Sequence, residues 1–565
     1  MAAALKIVVV GGVAAGPKAA ARARRLDPRA EITILERGDY ISYSACGLPY
    51  LISGEVPELK SILATPVGVP RDAEYFRTVK GIEFLTGKEV VSLDRGSKVV
   101  AVKDRATGKA EAYPYDKLVL ATGASPVRPP WPGIDLAGVF VVRQPRDAVA
   151  ILQALKETKP SRAALIGAGP IGLELAEAFV QWGLEVLVIE ALEEVLPGAL
   201  DPEMGALVRR HLESQGVKVH TGERVASLGS GEDGWVARLY TDKGEYPADL
   251  VVVAIGVRPN VELARQAGLN IGATGAIAVD KHLRTSDPDI YAGGDCAENF
   301  HRLLKRPVFV SSGQLANVQG RVIGTNVAGG QEVYRGMVGT FVAKVFDYTV
   351  GATGLTEAAA RREGLKVVTA LVPGLDHAHY YPEARFVGLK MVAEKESGRL
   401  LGVQVAGPGD GAKRLDAAAT ALTLGATVKE MSQLNLGYSP PYSVAIDLLV
   451  NAAQVMDNKL SGVAQALSPR EIQELTDAGE DFLLLDVRTP REFREVRLKH
   501  PKVFTMPLGV LRHKAPAFPK DRLYIPFCQF SVRGYEAQKI LEGLGFTRVK
   551  FLDGGVAHWP FELES

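Results

Sequence analysis

Two of the chain's three cysteines, Cys46 and Cys528, stand where a thiolate could work. Cys46 lies in Tyr43-Ser44-Ala45-Cys46-Gly47-Leu48-Pro49-Tyr50, at the expected start of a helix. The positive end of the helix dipole there should lower the thiol pKa and favour the reactive thiolate. Residues 47–52 hold no second cysteine, so one thiol must act alone and the substrate must supply the other half of any disulfide. The plainer alternative is a small buried hydrophobe. Cys528 opens Cys528-Gln529-Phe530-Ser531-Val532-Arg533-Gly534, directly after the apolar run Leu523–Phe527. Backbone N–H groups curled around that sulfur, closed by Arg533, would stabilise a thiolate or an anionic persulfide. Cys296, directly after Asp295, is read as structural.

Two glycine loops suggest nucleotide chemistry. Gly167, Gly169 and Gly172 follow the apolar run Arg162–Ile166, and Glu190 ends the next one, Glu185–Ile189. Such glycines permit a tight turn and let backbone approach a pyrophosphate at a helix N-terminus, while the acid can bond a ribose hydroxyl. An N-terminal copy is looser. Gly11, Gly12 and Gly16 follow Leu5–Val10, with Val13 at the middle glycine position, and Glu36 closes the strand Glu31–Leu35. Each copy reads as strand, helix, strand, with the helices ending near Leu26 and Trp182.

The elements that must position these groups need several domains. A chain of 565 residues is too long for one core, and 47% hydrophobic with 23% charged residues is ordinary for a globular protein. A formal net charge of +1 argues against nucleic acid as a partner. Three widely spaced cysteines imply no disulfide framework and fit a reducing cytoplasm. The apolar start, Met1 to Val10, is broken by Lys6 and runs into glycines, so it reads as a strand and not a signal peptide. No apolar run reaches membrane-spanning length, and no metal site is expected. Further strands are expected at Lys117–Thr122, before Gly123, at Leu250–Ile255, before Gly256, and within Thr285–Asp295. A polar hinge is expected near Asn458–Gln465, before a last domain.

The first glycine unit, the Ala121-Thr122-Gly123 turn and the Thr285–Asp295 segment resemble the pyridine nucleotide–disulfide oxidoreductases over roughly residues 1–455. The resemblance implies an α/β fold with two Rossmann-like dinucleotide-binding domains. The FAD domain is expected at 1–150 and 256–334, the NADH domain at 151–255 and an α+β dimerisation domain at 335–457. It implies FAD contacts at Gly11, Gly12, Gly16, Glu36, Arg37, Val90, Thr122, Gly123 and Asp295, and NADH contacts at Gly167, Gly169, Gly172, Glu190 and Gly256. Ala191 and Leu192 after Glu190 offer no arginine for a 2′-phosphate, which favours NADH over NADPH. Ser42 to Tyr50, the first glycine loop and Tyr438-Ser439-Pro440-Pro441-Tyr442 resemble the coenzyme A–disulfide reductase branch. In that branch CoA is a substrate or bound thiol carrier. Lys18, Arg22 and Arg25, on one helix face, with Ser42 and Asn317, are the implied contacts. Tyr380 and Tyr438 match tyrosines that a partner subunit brings near the redox cysteine, which implies a homodimer with composite sites.

Phe482–Arg488, Glu492-Phe493, the Cys528 loop and Leu552-Asp553-Gly554-Gly555 with Trp559 resemble rhodaneses, implying an α/β domain at 466–565. Family members often carry glycine where Ser531 stands, and several have a more basic loop, which puts thiosulfate in doubt as a donor. The combined expectation is a cytoplasmic, NADH-dependent reductase of CoA persulfide, polysulfide or CoA disulfide, releasing hydrosulfide and CoA thiol. Cys46, Cys528, Arg533, Tyr380 and Tyr438 would be its reacting groups. The rivals are an NADH oxidase or peroxidase, weakened because Gly11–Ala21 holds no histidine, and a sulfur-trafficking or redox-sensing protein.

Overall fold

The structure is a computed structural model that describes residues 3–564; Met1 and Ala2 of the expected first strand lie outside the described residues. It contains two compact units.

The first unit runs up to Ala191 and resumes at Glu223–Met337. Its first lobe is built on Lys6–Val10, which pairs in parallel with Glu31–Leu35 and Lys117–Leu120. Glu83–Leu85 and Ile290–Ala292 complete a five-stranded sheet. Four of the five residues of Lys6–Val10 are buried, as a strand covered on both faces requires. The second lobe repeats the plan. Arg162–Ile166 pairs in parallel with Glu185–Ile189 and Leu250–Val253, and Val139–Phe140 adds beside Leu250–Val253. The expected division at 150/151 therefore falls inside the helix Pro145–Glu157.

In the first lobe the helix Ala15–Leu26 packs on Gly313–Val327. A Cβ on Gly320 would meet the Ala15 carbonyl and the Lys18 Cβ, and one on Gly324 would meet the Ala19 carbonyl and the Arg22 side chain. Missing side chains on one helix thus seat the backbone of the other, with Lys18 and Arg22 beside the seam.

The second unit comprises Leu192–Gly222 and Val338 onward. A five-stranded antiparallel sheet runs Thr340–Val345, Tyr348–Gly354, Leu400–Gly407, Phe386–Glu394, Val367–Leu375 in spatial order. Lys390 is wholly buried in it, 2.9 Å from Asp201, 2.6 Å from Glu203 and 2.8 Å from Glu357. Burial works against its charge, but the three carboxylates together hold it protonated.

The helix Leu448–Leu460 then leads to the last domain. The helix takes in the first three residues of the expected hinge, Asn458–Gln465, and ends before Gly462, whose φ is +76°. Phe482–Asp486 lies between Val503–Thr505 and Leu523–Phe527 in a parallel sheet. This domain is held on the antiparallel sheet at named points. Asp553 accepts from the Leu371 amide at 3.0 Å and from Lys459 at 2.8 Å. Phe530 stacks on Phe386 with ring centroids 4.7 Å apart. The buried His558 occupies space that Gly388 leaves free. No described helix is long and apolar enough to cross a membrane.

Candidate active site

Both glycine loops have nucleotide-binding geometry. Gly11 and Gly167 have φ of +109° and +104°, reachable at little cost only without a Cβ. Gly16 and Gly172 lie so close to the carbonyls of Gly11 and Gly167 that a side chain would open either loop. Each following acid holds its loop: the Gly12 amide donates to Glu36 Oε2 at 2.7 Å, and the Ala168 amide to Glu190 Oε2 at 2.9 Å. The helices Ala15–Leu26 and Pro170–Gln181 start with no side-chain cap and no acid in the first turn. Their leading N–H groups are therefore suited to an anion. Over Gly169 a Cβ would meet nothing within 4 Å, so a cofactor could approach the backbone there. Gly256, with φ +108°, is equally open. These features fit a dinucleotide in each lobe.

The other expected cofactor contacts are placed as follows. Thr122 Oγ1 donates to the Asn260 carbonyl at 2.7 Å, beside Gly123, whose φ is +68°. Val90 is half-buried in Lys88–Asp94, and Arg37 is exposed just after Glu36. Asp295 accepts from Arg143 Nη2 at 2.7 Å, Ser311 Oγ at 2.6 Å and the Ser312 amide at 3.0 Å. Cys296 is fully buried, 3.4–3.5 Å from the Gly293 and Leu120 carbonyls, as a structural thiol would be.

Cys46 sits in a short turn, Ala45–Gly47, ahead of the helix Leu48–Ser53. Its side chain is open to solvent, yet the expectation of a lowered pKa does not hold. The protein mass around it, then the Glu174 carboxylate, push the thiol up, and the Arg143 guanidinium only partly opposes them. A six-residue helix supplies little dipole, and Glu174 lies on the helix Pro170–Gln181, far from Cys46 in sequence. Glu174 accepts from Tyr50 Oη at 3.2 Å, and Trp182 Nε1 donates to the Ile52 carbonyl at 2.7 Å. Arg143, Glu174 and Ser311 are site residues that sequence reasoning missed. Only Arg143 carried a local signal, as a cation just ahead of the helix Pro145–Glu157.

The Cys46 sulfur lies 4.0 Å from where a Cβ of Gly313 would stand, at the start of the helix Gly313–Val327. Asn317 is exposed one turn on, its amide donating to the Gly313 carbonyl at 2.8 Å. Gly320 then meets Lys18, and Gly324 meets Arg22. At 1.5 Å per residue the course from Gly313 to Gly324 is about 16 Å. Lys18 and Arg25 are exposed, and Arg22 Nε donates to Thr325 Oγ1 at 3.1 Å. Ser42 has φ +48°, and its amide donates to the Gly12 carbonyl at 2.8 Å. A nucleophile thus begins a track that ends at cations.

In the second unit Tyr380 and Tyr438 are both well exposed, and loss of surrounding water, then the interaction with Tyr438, raises the Tyr380 phenol. Cys528 is buried at 1% exposure. Ser531 takes φ +73°, the left-handed region where a glycine would be unstrained. Arg533 opens the following helix, Val532–Gly543, and Glu492 foremost, with the Cys528 sulfur, holds its charge. It also grips Glu492 through two hydrogen bonds of 2.9 and 2.5 Å.

Residues 5–319 match the pyridine nucleotide-disulphide oxidoreductase family, residues 340–449 its dimerisation domain and residues 468–560 the rhodanese-like domain. An NAD(P)H sulfur oxidoreductase (CoA-dependent) of Pyrococcus furiosus is 38% identical over 80% of this chain and 99% of its own length. The structure of an NAD-dependent persulfide reductase from A. fulgidus superposes with a TM-score of 0.93 at 42% identity, covering 98% of this chain and all of that one. The reduced CoADR-RHD of Bacillus anthracis gives 0.92 at 35% identity, covering 99% of this chain and 98% of that one. With two nucleotide loops, a thiol between them and these similarities, the chain belongs to the pyridine nucleotide-disulphide oxidoreductases, FAD- and NAD(P)H-dependent enzymes, and carries that family's dimerisation domain and a rhodanese-like domain.

Proposed function

We propose that the protein uses NADH to reduce sulfur carried on coenzyme A, as persulfide, polysulfide or disulfide, with Cys46 as nucleophile and Cys528 handling sulfane sulfur. The observation that carries this reading is the course from Cys46 along Gly313–Val327 to Lys18 and Arg22. It suits a long thiol whose reactive end and phosphates lie far apart. Arg25, Ser42 and Asn317 would add contacts, and guanidinium–phosphate bonds are charge-assisted.

Cys46 thiolate attacks the inner sulfur of a CoA persulfide, forming Cys46–S–S–CoA and releasing hydrosulfide. Arg143 favours that thiolate, while burial and the Glu174 carboxylate oppose it. FAD, when bound and reduced by NADH, would supply the electron pair that returns Cys46 to its thiolate and frees CoA as the thiolate. Tyr380 and Tyr438, in a homodimer with composite sites, would donate a hydrogen bond or proton to the leaving thiolate. Glu36 and Asp295 would hold FAD, and Glu190 the NADH ribose.

The test is NADH consumption by the purified holoenzyme with CoA persulfide, CoA disulfide, polysulfide and oxygen as separate acceptors. Cys46→Ser should abolish turnover with the sulfur acceptors. Persulfide turnover unchanged in Cys46→Ser, or oxygen as the fastest acceptor, overturns the reading.

A further inference from the structure

Tyr380 and Tyr438 stand on two irregular segments. Residues 376–385 link the strands Val367–Leu375 and Phe386–Glu394, and residues 432–447 link the helices Val428–Met431 and Leu448–Leu460. The two side chains are 64% and 53% exposed, so packing does not set where they point. Residues 432–437 and 443–447 line a cleft of about 210 Å³, which leaves the second segment loosely backed. Polar bonds must hold both segments.

Those bonds meet at one side chain. Arg414, in the first turn of the helix Ala412–Leu424, is buried at 1% exposure. A cation there opposes the helix dipole, so helix stability does not account for it. Its Nη2 donates to the Asp376 carbonyl at 2.8 Å and lies 2.8 Å from Asp447 Oδ2. Its Nη1 donates to the Asp410 carbonyl at 2.8 Å. Asp376 closes the Tyr380 segment by accepting from the Arg385 amide at 2.7 Å. Asp447 secures the Tyr438 segment by accepting from Ser443 Oγ at 2.9 Å. The Ser443 amide in turn donates at 3.0 Å to the carbonyl of Ser439, the residue after Tyr438. A buried ion pair adds little net stability over apolar packing, but the planar guanidinium fork fixes direction.

We propose that Arg414 is the positioning residue for both phenols. By gripping the Asp376 carbonyl and the Asp447 carboxylate at once, it holds Tyr380 and Tyr438 in the one arrangement that serves a leaving thiolate. The inference rests on the proton-donating role proposed for the two tyrosines. In the step served, the Cys46 thiolate attacks one sulfur of CoA disulfide. A bond from Cys46 to that sulfur forms, the old S–S bond breaks, and its electron pair leaves on CoA thiolate. That thiolate takes the proton of a phenol, and the exposed phenolate regains one from water. No oxidant or reductant is consumed.

Two leaving groups on one nucleophile separate positioning from mere structural support. Holoenzyme reduced with one equivalent of NADH and freed of released CoA is mixed with CoA disulfide, or with a mixed disulfide of CoA and a nitroaryl thiol. Formation of Cys46–S–S–CoA is followed by mass. The nitroaryl thiolate, of low pKa, leaves without a proton, so only CoA disulfide needs the phenols. The Tyr380→Phe, Tyr438→Phe double variant should slow CoA disulfide by about a hundredfold and leave the nitroaryl disulfide unchanged. Arg414→Lys keeps the charge but not the fork, and should slow CoA disulfide alone by about tenfold. Asp447→Asn can still cap the helix Leu448–Leu460 and should give a smaller loss of the same kind. It decides the matter if Arg414→Lys does not fold. Added to the tyrosine double variant, either substitution should change nothing more. Equal slowing of both disulfides, additive loss, or parent rates in both variants overturns the positioning role. A tyrosine double variant as fast as the parent overturns it together with the proton role of the phenols, and leaves Cys46 as the nucleophile.

Discussion

Tyr50 Oη donates to Glu174 Oε1 at 3.2 Å, fixing a carboxylate whose charge disfavours the Cys46 thiolate. The bond joins the helix just after Cys46 to the helix that starts at the second glycine loop, so nucleotide loop and nucleophile share one electrostatic setting. Burial and the Glu174 charge also raise the Tyr50 phenol, which stays a donor at neutral pH.

Glu174→Gln should therefore lower the Cys46 pKa and speed its alkylation by iodoacetamide at pH 7. Each unit by which the pKa falls is about 1.4 kcal/mol in the thiolate's favour and raises the thiolate fraction by up to about tenfold. Arg143→Gln should do the opposite. The thiolate fraction rises with pH, so the parent's alkylation profile should have its midpoint above the ordinary thiol value. Coincident profiles for parent and Glu174→Gln would remove Glu174 from this role.

Nucleotide choice should turn on Glu190. Its carboxylate is buried against the Ala168 amide, where it would repel a 2′-phosphate. Glu190→Ala with Ala191→Arg should move the ratio of kcat/KM for NADPH over NADH upward by on the order of a hundredfold, as an acid is exchanged for a phosphate-binding guanidinium. Because Ala168 N–H loses its acceptor, stability should fall by about 1–2 kcal/mol. Steady-state kinetics with both cofactors measures the ratio.

Arg22 should act on binding alone. It stands about 16 Å along the helix from Cys46 and is steadied by Thr325. Arg22→Gln should raise KM for a CoA-linked substrate by about tenfold, the scale of one charge-assisted hydrogen bond, and leave kcat unchanged. With pantetheine persulfide, which lacks the nucleotide, the same variant should match the parent. A fall in kcat would show that Arg22 organises the reacting end instead.

What the sequence made legible were features whose cause is local. The alternation of apolar runs and glycine loops marks Lys6–Val10, Arg162–Ile166 and Leu523–Phe527, and an acid at the second strand's end marks Glu36 and Glu190. Cys46 and Cys528 stood out for the same reason. The helix runs three residues into the expected hinge, to Leu460, where Lys459 is anchored by Asp553, 94 residues away. Glu174 escaped because its effect on Cys46 needs two helices to be packed first. Glu492 was visible as part of a motif, but its grip on Arg533 depends on how the domain closes.

His558 offers a pH test of how the last domain is seated. It is fully buried, and burial, then the charge of Arg210, push its pKa from 6.5 down to about 3. In the unfolded chain it would titrate near 6.5, so the unfolded state binds the proton first as pH falls. The stability tied to a neutral His558 is thus complete above pH 6.5 and is lost between 6.5 and 3, at about 1.4 kcal/mol per pH unit. His558→Leu cannot take up the proton. Between pH 7 and pH 5 the parent should lose about 2 kcal/mol more than the variant, even if the variant starts lower because the ring's packing beside Gly388 is altered. Thermal unfolding of both proteins at matched pH values reads the difference directly. Parallel curves would mean that His558 gains a proton without the domain leaving its seat.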